Sequence, residues 1–169
     1  MNTFDTDYKY LALGVLGAIL TIYGHLFQNV PHFYYIVGSI ALMIMAIHYE
    51  LVYFIALELI LAAGHTAILI GFGLYTQIAL PILLCLQLLL FYLMFGKENL
   101  LITIIGILGI IMISFGFSYH DPWVFFVGSL CIAGYSAYIG YRGCAPAYLW
   151  AVVNAVFAIT ALYRILNIH

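Results

Sequence analysis

The sequence predicts an all-α integral membrane protein: seven transmembrane helices, arranged as two parallel three-helix repeats joined by a linker helix. Three observations lead there. First, 67% of the 169 residues are hydrophobic and only 6% are charged, with a mean hydropathy of +1.20. A soluble domain carries roughly 25% charged residues on its surface, so this chain is built for lipid. Second, the apolar residues fall into runs of membrane-spanning length, separated by short polar or glycine- and proline-containing breaks. Third, the chain resembles itself. Phe33 to Ser39 reads FYYIVGS, and ninety positions on, Trp123 to Ser129 reads WVFFVGS. The flanks match in texture, with LGAILTIYGHLF (Leu16 to Phe27) over IGILGIIMISFG (Ile105 to Gly116). Self-similarity at this scale is the mark of an internal repeat.

A span needs about 20 apolar residues, and the runs supply seven. The first is Tyr8 to Phe27, ended by Gln28-Asn29-Val30-Pro31. Its front carries two Asp and a Lys with no small-residue cleavage site, so it reads as a mature helix rather than a signal peptide. The second, Phe33 to His48, is closed only by Tyr49-Glu50 before the third, Leu51 to Phe72. One continuous helix across that boundary would overshoot a bilayer, so a tight turn is expected. The fourth is Thr76 to Phe95 after a Gly73-Leu74-Tyr75 turn, and Gly96-Lys97-Glu98-Asn99 is the most polar break. Leu100 to Phe117, Trp123 to Tyr141 and Ala147 to Ile165 complete the set.

With seven spans, residues 1–75 form the first repeat, 76–96 the linker helix and 97–169 the second repeat. An odd linker makes both triplets cross the membrane in the same sense, giving parallel repeats about an axis along the membrane normal. Lys9, Lys97 and Arg142 fall on the N-terminal side and Arg164 on the other. The positive-inside rule then puts the N-terminus in the cytoplasm, and a bacterial inner membrane is the expected setting. Small residues such as Gly14, Gly17, Gly106 and Gly109 mark close helix packing. Tyrosines and Trp123 near the span ends, Tyr34 and Tyr35 among them, read as headgroup anchors. Cys85, Cys131 and Cys144 form no CxxC and read as buried free thiols.

Glu58 is the sharpest functional candidate. By helix rise it lies on the order of 10 Å below the interface, and an intramembrane carboxyl is costly unless protonated, paired or facing water. Laying the repeats over each other puts Asn154 opposite Glu58. Each has an aromatic one turn earlier on the same face, Phe54 and Trp150. One aromatic and one polar group per repeat suit a solute site between the halves. Glu58, Asn154, Trp150 and Phe54 are therefore the expected substrate-binding set. His65 follows Glu58 by seven residues on the same face, and His25 ends the first span, so Glu58, His65 and His25 form a candidate proton-coupling set. His120-Asp121 and Arg164 read as loop and interface residues.

The three-one-three plan and WAVVNAVFAITALY (Trp150 to Tyr163) resemble the SWEET and PnuC-type transporters of the broader PQ-loop group. For SWEETs the resemblance implies a central cavity with an asparagine from the third helix of each repeat. Here Asn154 matches one and Glu58 stands in place of the other. For PnuC-type vitamin transporters it implies aromatic and amide groups gripping a nucleoside-like solute. No Pro-Gln pair occurs in the chain, a departure from the group's signature.

The expected function is transport of one small solute: vitamin- or nucleoside-like, a sugar or a cationic metabolite. The expected partners are that solute and the lipid bilayer, with a homo-oligomer left open. Four Lys+Arg and a net charge of −2 offer no basic face for nucleic acid. No cofactor or metal is expected, since no HxxxH or HExxH spacing exists, and an enzyme is not expected, since no nucleophile elbow or phosphate loop exists. Two alternatives stand beside transport: a haem-binding redox protein using His25 and His65, and a small structural subunit of a membrane complex.

Overall fold

The computed structural model describes residues 7–26, 31–96 and 99–167. Seven helices in it are long and apolar enough to cross a membrane. They are α1 (Tyr8–Leu26), α2 (Pro31–His48), α3 (Val52–Ile70), α4 (Leu74–Phe95), α5 (Leu100–Tyr119), α6 (Pro122–Tyr141) and α7 (Tyr148–Asn167). A short 3-10 turn, Ala145–Ala147, leads into α7. Every span read from the sequence is present, with no end shifted by more than two residues.

The breaks have local causes. Between α2 and α3 the chain turns within Tyr49-Glu50, with Glu50 in the left-handed region at φ 55° and Leu51 N–H donating to the Ala46 carbonyl at 2.9 Å. The expected Gly73 turn lies slightly earlier. Gly71 ends α3 at φ 79°, and Phe72 N–H reaches back to Ala67 O at 3.0 Å, a glycine C-cap that an L side chain would strain. Asn99 caps α5 by accepting from Leu101 N–H at 3.1 Å. Asp121 caps α6, accepting from Trp123 and Val124 N–H at 2.9 and 3.1 Å, with Pro122 at the first helical position, where its missing N–H costs nothing. Lys97 lies outside the described residues.

Each helix packs on the next, and α7 returns to α1. α3 also touches α5, and α4 packs on both of them from outside. The result is a ring of six helices, with α4 as an outer brace. Short connections make consecutive helices antiparallel. One end therefore holds the start of α1, the α2–α3 turn and the start of α7; the opposite end holds the end of α1, the α5–α6 turn and the end of α7.

Close approach within each half rests on paired glycines. A Cβ on Gly38 would lie 2.8 Å from the Gly17 carbonyl oxygen, and one on Gly128 would lie 3.0 Å from the Gly109 carbonyl oxygen. The glycine of each VGS thus seats α2 on α1 and α6 on α5. Large apolar side chains such as Leu90, Leu93 and Ile159 stay exposed, as a lipid-facing surface requires.

Candidate functional site

α3 and α7 bring together the side chains on which the sequence analysis centred. Phe54 and Glu58 sit one turn apart on α3, Trp150 and Asn154 one turn apart on α7, and all four are buried. The Phe54 and Trp150 rings stack with centroids 4.2 Å apart and planes at 24°. Trp150 Nε1 donates to Glu58 Oε1 at 2.6 Å, and Ser39 supplies a second side-chain hydrogen bond to the carboxyl. Both partners are neutral. Asn154 shares this layer but not the grip: its Nδ2 donates to the Trp150 backbone carbonyl at 2.9 Å, along its own helix. Ser39, the last residue of FYYIVGS, joins this group although helical spacing alone does not single it out. Its counterpart Ser129 instead bonds the Phe125 carbonyl at 2.8 Å.

His25, His32, His65 and His120 gather at the opposite end of the bundle, whereas His48 stacks on Tyr10 at the end that holds the start of α1. His25 Nδ1 lies 2.8 Å from the Tyr35 hydroxyl and Nε2 lies 2.6 Å from Thr160 Oγ1. The Thr160 proton has the Val156 and Phe157 carbonyls in reach at 3.0 and 2.9 Å. A hydroxyl has one proton to give, so with that proton on its own helix Thr160 accepts from His25 Nε2–H and Tyr35 O–H donates to Nδ1. Tyr35 also stacks on His65, centroids 4.4 Å apart and planes at 8°, and His65 Nδ1 lies 3.2 Å from His32 Nδ1. Tyr35 is therefore the hub of this end, 3% exposed, rather than a headgroup anchor. It stands four residues before Ser39 on the same helical face.

A cavity of about 430 Å³ opens at this end. His25, His32, Tyr35, His120, Asp121 and Arg164 are among its lining groups, with Phe117 and Phe125. Beneath it the rings close up: Tyr35 meets Phe117 at 5.0 Å, Phe117 meets Phe125 at 4.8 Å, and Phe157 lies 5.7 Å from Phe125. Phe157 is three residues after Asn154, so this aromatic layer lies between the cavity and the Glu58 layer. None of Phe54, Glu58, Trp150 or Asn154 lines the cavity. At the other end Tyr53 packs on Tyr135 at 3.9 Å and donates its hydroxyl to the Gly106 carbonyl at 2.8 Å, closing the ring there.

His25 and His65 share one end of the bundle and are joined through Tyr35 rather than face to face. Glu58 bonds Trp150 and Ser39 rather than either histidine. Both nitrogens of His25 are engaged within the protein, so the pair does not fit the axial positions of a haem. His120, Asp121 and Arg164, read from the sequence as loop and interface residues, line the cavity. Arg164 falls on the stripe Asn154, Phe157, Ala161, Arg164, whose steps of three, four and three residues trace one helical face. Among the described residues, no group of three or more His, Cys, Asp or Glu could hold a metal ion. No family model matches this chain, and neither a curated protein nor a solved structure matches it.

Proposed function

We propose that this chain is a small-solute transporter working by alternating access, with α1–α3 and α5–α7 as two related units and α4 as their linker. The observation that carries the reading is the buried Glu58, held by an indole N–H and a hydroxyl, beneath a cavity of about 430 Å³ at one end of the bundle. An ionised carboxyl so placed, with neutral partners alone, is expensive within a membrane. A group of that kind suits taking up and releasing a charge during a cycle, by carrying a proton or by balancing a cationic solute. The aromatic layer of Tyr35, Phe117, Phe125 and Phe157 serves as the gate between cavity and carboxyl, and the Tyr53–Tyr135 pair closes the other side.

The recurrence of the glycine crossing supports two related units. Gly17 with Gly38 and Gly109 with Gly128 are the same contact displaced by 92 and 90 positions. Lys9 and Arg142 at the end opposite the cavity favour a cytoplasmic N-terminus and a cavity facing outward, by the positive-inside rule. The inner membrane of a bacterium is the setting proposed.

The test is uptake into liposomes containing the purified chain, across a panel of vitamins, nucleosides, sugars, organic acids and amines. Wild-type protein concentrates or equilibrates at least one of them, and Glu58→Gln abolishes that uptake or removes its dependence on a proton gradient. Uptake by Glu58→Gln with unaltered gradient dependence sinks the role given to the carboxyl. No uptake of any solute across the panel sinks the transporter.

A further inference from the structure

We propose that the solute taken by the outer cavity is an anion, with its carboxylate or phosphate group held by Arg164. This rests on the transport reading above and narrows its substrate class. The cavity is lined by the Arg164 guanidinium and the Asp121 carboxylate, together with the imidazoles of His25, His32 and His120, of which His25 is neutral in the bond pattern above. That carboxylate is already committed. Its Oδ1 accepts the Trp123 and Val124 N–H groups that begin α6, and the partial positive charge of a helix start offsets part of its own. Helix starts (α2, α6) and helix ends (α1, α5, α7) both meet at this cavity, so their dipoles oppose and the side chains decide the sign.

Arg164 is the decisive group. It donates one amino group, NH2, to the His25 carbonyl at 3.2 Å, a contact that fixes the side chain against α1. A guanidinium has five N–H donors in a planar fork that suits a carboxylate or phosphate in bidentate contact. Among the described residues no carboxylate pairs with it. A cation entering here would have to settle beside an arginine. The lining also carries Tyr35, Phe117 and Phe125, an apolar wall for the body of the solute. A volume of about 430 Å³ lies within the range of small-molecule sites and suits an organic anion with an aromatic or short aliphatic body. With such a substrate, the part left to Glu58 is the coupling proton rather than the balancing of a cation.

The probe is benzoate, with benzamide as its uncharged counterpart, titrated into the purified full-length chain in detergent and read by thermal melting. Benzoate raises the melting temperature and benzamide does so far less. Arg164→Gln weakens benzoate by tenfold or more, and Arg164→Lys, which keeps the charge but loses the planar fork, restores only part of that loss. Asp121→Asn preserves the cap acceptor and removes the negative charge, so it tightens benzoate a few-fold while leaving benzamide unmoved. Because that variant gains affinity, misfolding cannot imitate it. Equal binding of benzoate and benzamide overturns the proposal, as does weaker benzoate binding in Asp121→Asn. A lipid phosphate is the other source of the same chemistry. Nanodiscs containing phosphatidylglycerol are compared with phosphatidylcholine alone, at a salt concentration that screens the surface potential. Equal benzoate affinity in both supports a soluble solute, and competition by phosphatidylglycerol overturns one. Labelled-benzoate uptake is scored separately. Binding without uptake of any solute removes the transport reading and leaves the anion site, whereas uptake of neutral solutes without benzoate binding does the reverse.

Discussion

Trp150 and Glu58 stand 92 positions apart in the chain and meet through one hydrogen bond of 2.6 Å, indole Nε1 to carboxyl Oε1. The bond ties α7 to α3, one helix from each half, and Phe54 stacks on the same indole. An indole has a single donor and no acceptor. The carboxyl therefore depends on a group that cannot rotate to a new role, and the aromatic stack fixes where that group points. Packing and polarity reinforce each other at this one contact.

That dependence separates stability from transport. Trp150→Phe keeps a ring against Phe54 and removes the donor, leaving a buried carboxyl oxygen short of a partner at a cost of about 1–3 kcal/mol. Glu58→Gln keeps an oxygen that accepts from the indole, so its cost is smaller. Melting temperatures in detergent should fall further for Trp150→Phe than for Glu58→Gln, while uptake is lost in both. In a Glu58→Leu background, Trp150→Phe should cost much less than in the native protein. Equal costs in the two backgrounds would falsify the coupling.

Tyr35→Phe isolates the hydroxyl at the histidine end. The ring contacts to His65, Phe117 and Phe157 persist, and only the bond to His25 Nδ1 disappears. A net loss of about 1 kcal/mol is expected, with the larger effect at the cavity. Thr160 still holds His25 in the Nε2–H tautomer, but Nδ1 loses its donor beside the cavity, so solute affinity changes more than stability does. Parallel melting and binding titrations check the order of the two effects. A stability loss with unaltered binding would show that Tyr35 only packs.

Much of this was legible in the sequence because hydrophobicity at bilayer scale is a coarse signal. Seven spans and the Tyr49-Glu50 turn follow from length limits alone. The Phe54, Glu58 and Trp150 grouping followed from helical spacing combined with the repeat, since residues one turn apart share a face. What was hidden was the direction of side chains. Asn154 turned to its own backbone because its amide finds a carbonyl one turn back, and no spacing rule separates that from a shared site. Tyr35 reads as an anchor because it is the third residue of the span read from the sequence. The start of α2 against Gly24 of α1 instead carries it into the bundle: a Cβ on Gly24 would lie 2.8 Å from Tyr34 Cβ and 3.7 Å from Tyr35 N. Arg164 looked interfacial for the same reason, and only the closure of α7 on α1 puts it over the cavity.

The paired glycine crossings predict a graded response to one added methyl. Gly38→Ala places a Cβ 2.8 Å from the Gly17 carbonyl oxygen, and Gly128→Ala places one 2.7 Å from the Ile113 backbone nitrogen. Backbone cannot move aside as a flexible side chain can, so both variants must separate a helix pair and should lose about 1–3 kcal/mol. Gly134, also within α6, has nothing within 4 Å of its added Cβ. Gly134→Ala should be neutral, or stabilising by up to about 1 kcal/mol through helix propensity. Melting curves of the three variants test this. Equal effects at Gly38 and Gly134 would remove the close-contact explanation.

Asp121 is asked to do two things, and its variants pull them apart. As the N-cap of α6 it satisfies two backbone N–H groups, and replacing such a cap with alanine costs about 1 kcal/mol. Asn accepts at the same position with little loss. Asp121→Ala should therefore lower the melting temperature and Asp121→Asn should leave it nearly unchanged. The charge effect runs across this order, because both variants remove one negative charge from a cavity that also holds Arg164. Both should then bind benzoate more tightly per folded molecule, whatever their stability. Agreement between the two in affinity, together with their separation in melting temperature, assigns the cap to the oxygen and the opposition to the charge. A gain in affinity confined to Asp121→Asn would show instead that the cap geometry shapes the cavity.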